Sequence, residues 1–98
     1  MLRKMKEEIE LLSRHIDVAR AVVEYQPIGI MKLAELLDRP SHRIRYSLHV
    51  LEQFGYIQAS PDGAVATEKA TGLLEGLEGD IDDLIRLLND MKTRVPRN

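Results

Sequence analysis

The segment from Arg39 to Ile57 places the strongest constraint on how this 98-residue chain can fold. Ile44, Leu48 and Leu51 follow one another at intervals of four and three residues, which puts them on one face of a helix. Gly55 suits the left-handed position that ends a helix, and the residues after it have the character of a strand. The segment therefore predicts a helix that packs through one face and is followed directly by a strand.

The opposite face of this predicted helix is rich in hydrogen-bond donors: His42, Arg43, Arg45, Tyr46 and His49. Between Arg39 and Gln53 the only acidic residue is Glu52, which lies near the end of the segment. A helix with an apolar inner face, a basic outer face and a strand directly after it suits insertion into the major groove of DNA.

The order of the surrounding elements resembles a winged helix-turn-helix, as found in small prokaryotic regulators of the arsenic-repressor and multiple-antibiotic-resistance-repressor type. The resemblance covers roughly residues 13–75, with strands predicted at 57–60 and 64–67 and a short strand expected just before Ile30. The residues that carry it are Leu33, Ala34, Leu36 and Leu37 in the first helix, which we expect to pack on the core, then Ile44, Leu48, Leu51, Glu52, Gly55, Tyr56 and Ile57, and finally Thr67, Glu68, Lys69, Leu73 and Leu74. The resemblance implies a mainly α (α+β) fold and a sequence-specific DNA-binding transcriptional regulator that acts through a recognition helix at about residues 40–54.

The residues that we expect to contact DNA lie on this helix and its flanks: Lys32, Arg39, Ser41, His42, Arg43, Arg45, Tyr46 and His49. Arg43 and Arg45 are the first choices, because guanidinium groups bind guanine edges and phosphates in bidentate fashion. Side chains two positions apart on a helix are rotated by about 200° around its axis. We therefore expect one arginine to reach bases and the other a flanking phosphate. The predicted hairpin carries Asp62 at its tip, and an acid repels phosphate, so we assign the contacts to the helix rather than to the hairpin.

The charge of the chain is unevenly distributed. The net charge is −2 and the isoelectric point is near 5.9, but residues 39–49 contain three arginines and no acid. Residues 72–90 contain six acidic residues against one arginine. A basic face on an acidic body is typical of a specific DNA-binding protein. Two solvated helix faces would give the same pattern, and a winged-helix module that binds an acidic protein within a larger assembly is the alternative function.

Both ends of the chain carry apolar residues at alternating intervals of three and four, the pattern of helices that pack on helices. We expect one helix over about residues 2–25, with a break near Ser13 as the alternative because Ser13 would serve as an N-cap, and a last helix capped by Thr67. Gly72, Gly76 and Gly79 predict a break in this last helix, with Asp80 capping a restarted segment. His15 is expected to be a half-buried surface histidine.

The predicted organisation is an N-terminal helical extension (1–12), the winged helix-turn-helix domain (13–69), a C-terminal dimerisation helix (70–93) and a flexible tail (94–98). A small chain with two long apolar helix faces favours a homodimer. The residues expected at its interface are Leu2, Met5, Ile9, Leu12, Leu74, Leu77, Ile81, Leu84, Leu88 and Met91. Packing of the two helices on each other within one subunit remains the alternative.

Other chemistry has little support in the sequence. Without cysteine there is no disulfide framework and no thiolate metal site, and no serine is accompanied by an evident histidine and acid. We therefore expect no enzymatic activity, no cofactor and no metal, and the sequence names no residues for an effector ligand. No apolar run approaches the ~20 residues of a membrane span, so a cytoplasmic location is expected.

Overall fold

The computed structural model describes residues 1–97, which form a mainly helical α+β fold with one antiparallel hairpin, as predicted. The helices and strands follow the order α1 (Leu2–Tyr25), α2 (Ile30–Leu37), α3 (Ser41–Gln53), β1 (Ile57–Ser60), β2 (Gly63–Ala66) and α4 (Glu68–Thr93). The helix predicted at about 40–54 is thus confirmed to within a residue at each end. The second strand begins one residue earlier than predicted.

The core lies where the second half of α1 meets α2, α3 and the hairpin. Its buried apolar residues are Val18, Ala19, Ala21, Val22, Ile28, Leu33, Ile44, Leu51, Ile57 and Ala64. On α2, Leu33 and Leu37 pack inward because they are four residues apart and share a face. The expectation that Leu36 faces the core is wrong: it is 46% exposed and lines a shallow surface groove beside Lys32 and Glu35.

The end of α3 is set by Gly55, as predicted. This residue has a φ of +80°, in the left-handed region that a side chain would strain. Its N–H donates to the Glu52 carbonyl at 3.0 Å, and the Tyr56 N–H donates to the Leu51 carbonyl at 2.9 Å. This pair of hydrogen bonds ends the helix and directs the chain straight into β1.

The hairpin is extended to a third segment by Ile28, which agrees with the short strand expected before α2. Ile57 pairs with Ala66 and Ser60 with Gly63 within the hairpin, and Ile28 forms an antiparallel bridge with Ala64. The side-chain oxygen of Gln26 accepts a hydrogen bond from the Ala66 N–H at 2.8 Å. The α1–α2 connection therefore holds the hairpin against the helices.

The two terminal helices are both continuous. α1 passes through Ser13 without interruption, and α4 passes through Gly72, Gly76, Gly79 and Asp80. The predicted break in α4 is therefore wrong. Each glycine costs a helix up to ~1 kcal/mol relative to alanine. This cost is smaller than the free energy of the several backbone hydrogen bonds that a break would remove.

Thr67 precedes α4 at the expected position, but its side chain makes no capping hydrogen bond to that helix. The hydroxyl instead lies 2.6 Å from the Gly55 carbonyl and 3.1 Å from the Tyr56 carbonyl. Two residues later, the Lys69 ammonium donates to the Phe54 carbonyl at 2.6 Å and lies 5.2 Å from the centre of the Tyr56 ring. The start of α4 is thus attached to the end of α3.

The molecule is elongated because α4 extends beyond the core. Its Cα radius of gyration is 16.1 Å and its principal extents are 59 × 26 × 21 Å, whereas a compact domain of this length has a radius of about 13 Å. From Asp80 to the end of α4 every residue is exposed. Of the predicted tail, residues 94–97 follow α4 without regular structure and Asn98 lies outside the described residues.

Candidate functional site

The exposed surface of α3 brings together seven of the eight residues expected to contact DNA. His42, Arg43, Arg45, Tyr46 and His49 are all exposed on the helix, and Arg39 is exposed in the turn before it. Ser41 is half-buried as the first residue of α3. The inner face of the helix holds Ile44, Ser47 and Leu51 in the core, so the basic side chains are carried on a helix whose orientation is fixed.

Lys32 is the expected residue that lies apart from this surface. It is exposed on α2 and lines a groove with Tyr25, Pro27 and Leu36. No residue of α3 lines this groove.

Arg45 and His49 face the hairpin. They line a cleft of about 550 Å³ between α3 and the hairpin, together with Glu52, Pro61 and Asp62. The two basic residues are one helical turn apart and share a face. Carboxylates on both walls balance part of the Arg45 charge, so this side of α3 is mixed in sign.

The other side of α3 faces α1 and is positive. The Tyr46 ring lies 6.0 Å from the His15 ring, measured between centroids. Arg43 and Arg39 both act electrostatically on Arg14 of α1. Arg43 and Arg45 therefore project from different sides of the helix, in agreement with their rotation of about 200°.

A buried polar cluster joins α1 to α3 beneath this positive side. Ser47 is fully buried, and its Oγ accepts a hydrogen bond from Arg14 Nε at 3.0 Å. His15 Nδ1 lies 2.8 Å from the same Oγ. A serine hydroxyl has one donor and two acceptor sites, so Oγ can accept from Arg14 while donating to a neutral His15.

The charge states in this cluster follow from burial. Burial lowers the pKa of His15 below its ordinary value, and the neighbouring Arg14 guanidinium lowers it further. The pKa of Arg14 is lowered by burial and by the Arg43 and Arg39 guanidinium groups, whereas Tyr46 opposes that shift. His15 is half-buried, as predicted, but its role in joining two helices was not anticipated.

Sequence reasoning missed Arg14 and Ser47. Ser47 interrupts the apolar face of α3 between Ile44 and Leu51, and a polar residue at such a position signals a buried hydrogen bond. Nothing in the local pattern indicates its partner, because Arg14 lies 33 residues earlier in the chain.

The residues expected at a dimer interface lie on α1 and α4 and stay largely uncovered in the single chain. Leu74 and Leu77 are half-buried, whereas the others are exposed: Leu2, Met5, Ile9, Leu12, Ile81, Leu84, Leu88 and Met91. The middle of the two helices lines a shared apolar groove of about 400 Å³, with Ile9 and Leu12 on one wall and Leu77, Ile81, Leu84 and Leu88 on the other. The helices thus meet within one chain, but their apolar faces are not covered there.

Other kinds of site find no support in residues 1–97. They contain no group of three or more His, Cys, Asp or Glu side chains arranged to hold a metal ion, and none of their helices combines the length and the apolar character needed to cross a membrane. Comparison with protein-family models gives no match, and comparison with curated proteins gives no relative.

Proposed function

We propose that this protein is a winged helix-turn-helix transcriptional regulator that binds DNA as a homodimer through α3. The observation that carries the proposal is the two-sided character of that helix. Its inner face is fixed in the core, and its outer face presents His42, Arg43, Arg45, Tyr46 and His49 to solvent with no acid before Glu52. The proposal includes a cytoplasmic location and no catalytic activity, cofactor or metal.

The dimensions of α3 support binding in a major groove. The helix has 13 residues, which corresponds to about 20 Å. A helix with its side chains is about 10–12 Å wide, similar to the ~12 Å width of the major groove of B-DNA. The order α2, turn, α3, hairpin, with Ile28 bridging to the hairpin, supports the winged helix-turn-helix assignment.

The two arginines of α3 have separate roles in this proposal. Arg45 contacts base edges, where a guanidinium can bind guanine through two hydrogen bonds. Arg43 contacts the DNA backbone, because it lies on the side of α3 where Arg39 and Arg14 add positive charge. Asp62 faces the same cleft as Arg45, so the tip of the hairpin stays away from the phosphates.

The proposed dimer forms through the apolar faces of α1 and α4. A second copy of this chain matches these faces, because it carries apolar residues at the same intervals of three and four on both helices. A two-fold axis brings the same surface of the two copies together. In such a dimer the two copies of α3 can lie roughly 34 Å apart, one turn of DNA, and the binding site is palindromic.

The first experiment selects bound sequences from a random DNA duplex pool and then titrates salt against the selected site. A palindromic consensus, with an affinity that falls steeply as salt rises, is the expected result. No enriched sequence from a clean dimer would refute sequence-specific binding.

Variants at the two arginines test their separate roles. Arg45→Ala is expected to cost about 1–3 kcal/mol and to relax the preference at one base pair. Arg43→Ala is expected to weaken binding evenly across sequences and to reduce the salt slope by about 1 for each half-site of the dimer. Arg97→Ala removes the same charge from exposed chain beyond α4 and should leave both quantities unchanged. If Arg43→Ala instead changes the preferred sequence, the two assignments are reversed.

A protein-binding role is the second candidate, and it is favoured by Glu52 and Asp62 beside Arg45. A winged-helix module of this kind would use the basic side of α3 to bind an acidic protein. It predicts that unrelated DNA displaces any bound duplex as efficiently as the selected sequence does.

A further inference from the structure

Arg14 is a buried cation without an anionic partner. Only 9% of the residue is exposed, and its one side-chain hydrogen bond goes from Nε to the neutral hydroxyl of Ser47. In residues 1–97 the only ion pair within 4.0 Å joins Arg86 to Asp83. Because removing part of a charged group from water costs free energy unless an opposite charge compensates, this arrangement favours a bound anion.

Two further arginines lie around the same point. Arg43 is four residues before Ser47 on α3, so both lie on the side of the helix that meets α1. Arg39 precedes α3 in the turn from α2. Both guanidinium groups act on Arg14 strongly enough to lower its pKa. Three separate segments thus place like charges within electrostatic range of one another.

The terminal nitrogens of Arg14 are available to such an anion. Nε is occupied by Ser47, which fixes the plane of the guanidinium group and leaves the Nη1 and Nη2 atoms for another partner. No buried side-chain nitrogen among the described residues lacks a partner, so these atoms are not sealed within the protein. They reach the surface beside α3.

We propose that Arg14, Arg39 and Arg43 together bind one backbone phosphate of the DNA whose major groove receives α3. This inference depends on the proposed function and adds to it a contact from α1, which the sequence did not indicate. The planar fork of a guanidinium matches two phosphate oxygens. Ser47 is a positioning residue in this arrangement, since it orients Arg14 without touching the DNA.

The binding of the phosphate also relieves the repulsion among the three arginines. In the free protein the packing of α1 on α3 keeps the Arg14 guanidinium within electrostatic range of those of Arg39 and Arg43. A phosphate bound between them compensates the buried charge of Arg14. Because every DNA sequence has the same backbone phosphates, this contact can form whatever the bases. It contributes affinity and register, not base preference.

The test combines variants of the protein with duplexes in which single phosphates are replaced by neutral methylphosphonates. Arg14→Met keeps an apolar stem but removes the charge. It is expected to weaken binding to the selected duplex on the order of 10- to 100-fold, as for one hydrogen bond to a charged group. The slope of log affinity against log salt should become smaller by up to about 1.8 for the dimer, because one phosphate contact is lost in each of the two half-sites. Arg14→Lys should retain the wild-type slope, and Arg97→Met, which removes a charge elsewhere, should behave as wild type.

The methylphosphonate duplexes identify the phosphate itself. Wild-type protein should lose a similar affinity when one particular phosphate in each half-site is neutralised, and Arg14→Met should be insensitive to that replacement. Arg39→Met tests the same point in case Arg14→Met does not fold, because Arg39 is exposed and outside the core. It should lose sensitivity at the same phosphate.

The outcomes separate this inference from the proposed function. If the protein shows salt-dependent, sequence-specific binding but Arg14→Met and Arg39→Met keep the wild-type slope and phosphate sensitivity, the phosphate site is refuted and DNA binding stands. If Arg14→Met melts early while Arg39→Met retains full sensitivity at that phosphate, Arg14 serves only to hold the helices together. If no duplex is bound specifically, the proposed function itself fails.

Discussion

Replacement of Gly63 by alanine tests how the hairpin is attached to the rest of the molecule. Gly63 has a φ of +129°, and a Cβ atom added there would lie 2.6, 2.7 and 2.8 Å from the backbone C, O and N of Ile28. These distances are shorter than real contacts of Cβ atoms. Because the neighbour is backbone, the two segments must move apart.

The expected loss follows from what that movement breaks. Ile28 N–H donates to the Ala64 carbonyl at 3.1 Å, and Ala64 N–H donates to the Ile28 carbonyl at 2.8 Å. Two such hydrogen bonds contribute about 1 kcal/mol each, and the strained backbone of alanine adds about 1–3 kcal/mol. Gly63→Ala should therefore lower the free energy of unfolding by about 3–5 kcal/mol, a large part of the 5–15 kcal/mol typical of a domain.

Urea denaturation followed by circular dichroism measures this loss, at one fixed protein concentration because a dimer would otherwise shift the midpoint. Gly29→Ala is the matched control, since a Cβ there meets nothing within 4 Å and the φ of −86° is ordinary. It should change the free energy of unfolding by less than about 1 kcal/mol. Equal midpoints for the two variants would refute the attachment of the hairpin through Ile28.

Three further predictions follow from the helices. Gly79→Ala should stabilise α4 by up to ~1 kcal/mol and raise Tm in a thermal melt, because the new methyl group meets nothing within 4 Å. The pKa of His15 is lower in the folded protein than its ordinary 6.5, so the unfolded chain binds the proton more readily and wild-type stability should fall as pH drops through about 6.5. In thermal melts across this pH range, the Tm of His15→Gln should fall less steeply than that of the wild type. Equal dependence of Tm on pH in the two proteins would contradict this. Leu84→Lys should convert the proposed dimer to a monomer in analytical ultracentrifugation. Glu75→Lys should leave the dimer intact, because residue 75 lies about 180° around the same helix. A dimeric Leu84→Lys variant would exclude this part of α4 from the interface.

The parts of the fold that depend on local periodicity were predictable. The limits of α1, the inner face of α3 and the turn at Gly55 follow from apolar spacing and from one glycine in a left-handed position. The helix break near Gly79 was wrong because helix propensity is a weak term beside continuous backbone hydrogen bonding. Leu36 was placed inside because a short helix offers too few residues to locate its apolar face from spacing alone.

The parts of the candidate site that depend on tertiary contacts could not be predicted in the same way. The exposure of Arg43 and Arg45 follows from the position of Ile44 between them. The bond from Arg14 to Ser47 does not follow from any local pattern, because it depends on how α1 crosses α3. Consequently the sequence predicted which α3 residues lie on the candidate DNA-binding surface, but it did not predict that Arg14 of α1 adds to that surface.

The attachment of α4 to the end of α3 has a mechanical consequence. Lys69 and Thr67 hold the first turn of α4 against carbonyls of residues 54–56, and from Asp80 onward every residue of this 26-residue helix is exposed. At about 1.5 Å per residue α4 is about 39 Å long, so a tilt of 5° at its base moves its far end by about 3 Å. The helix acts as a lever arm: in the proposed dimer, a small change where the two α4 helices meet would be converted into a rotation of each α3, and with it a change in the spacing between the two DNA half-sites.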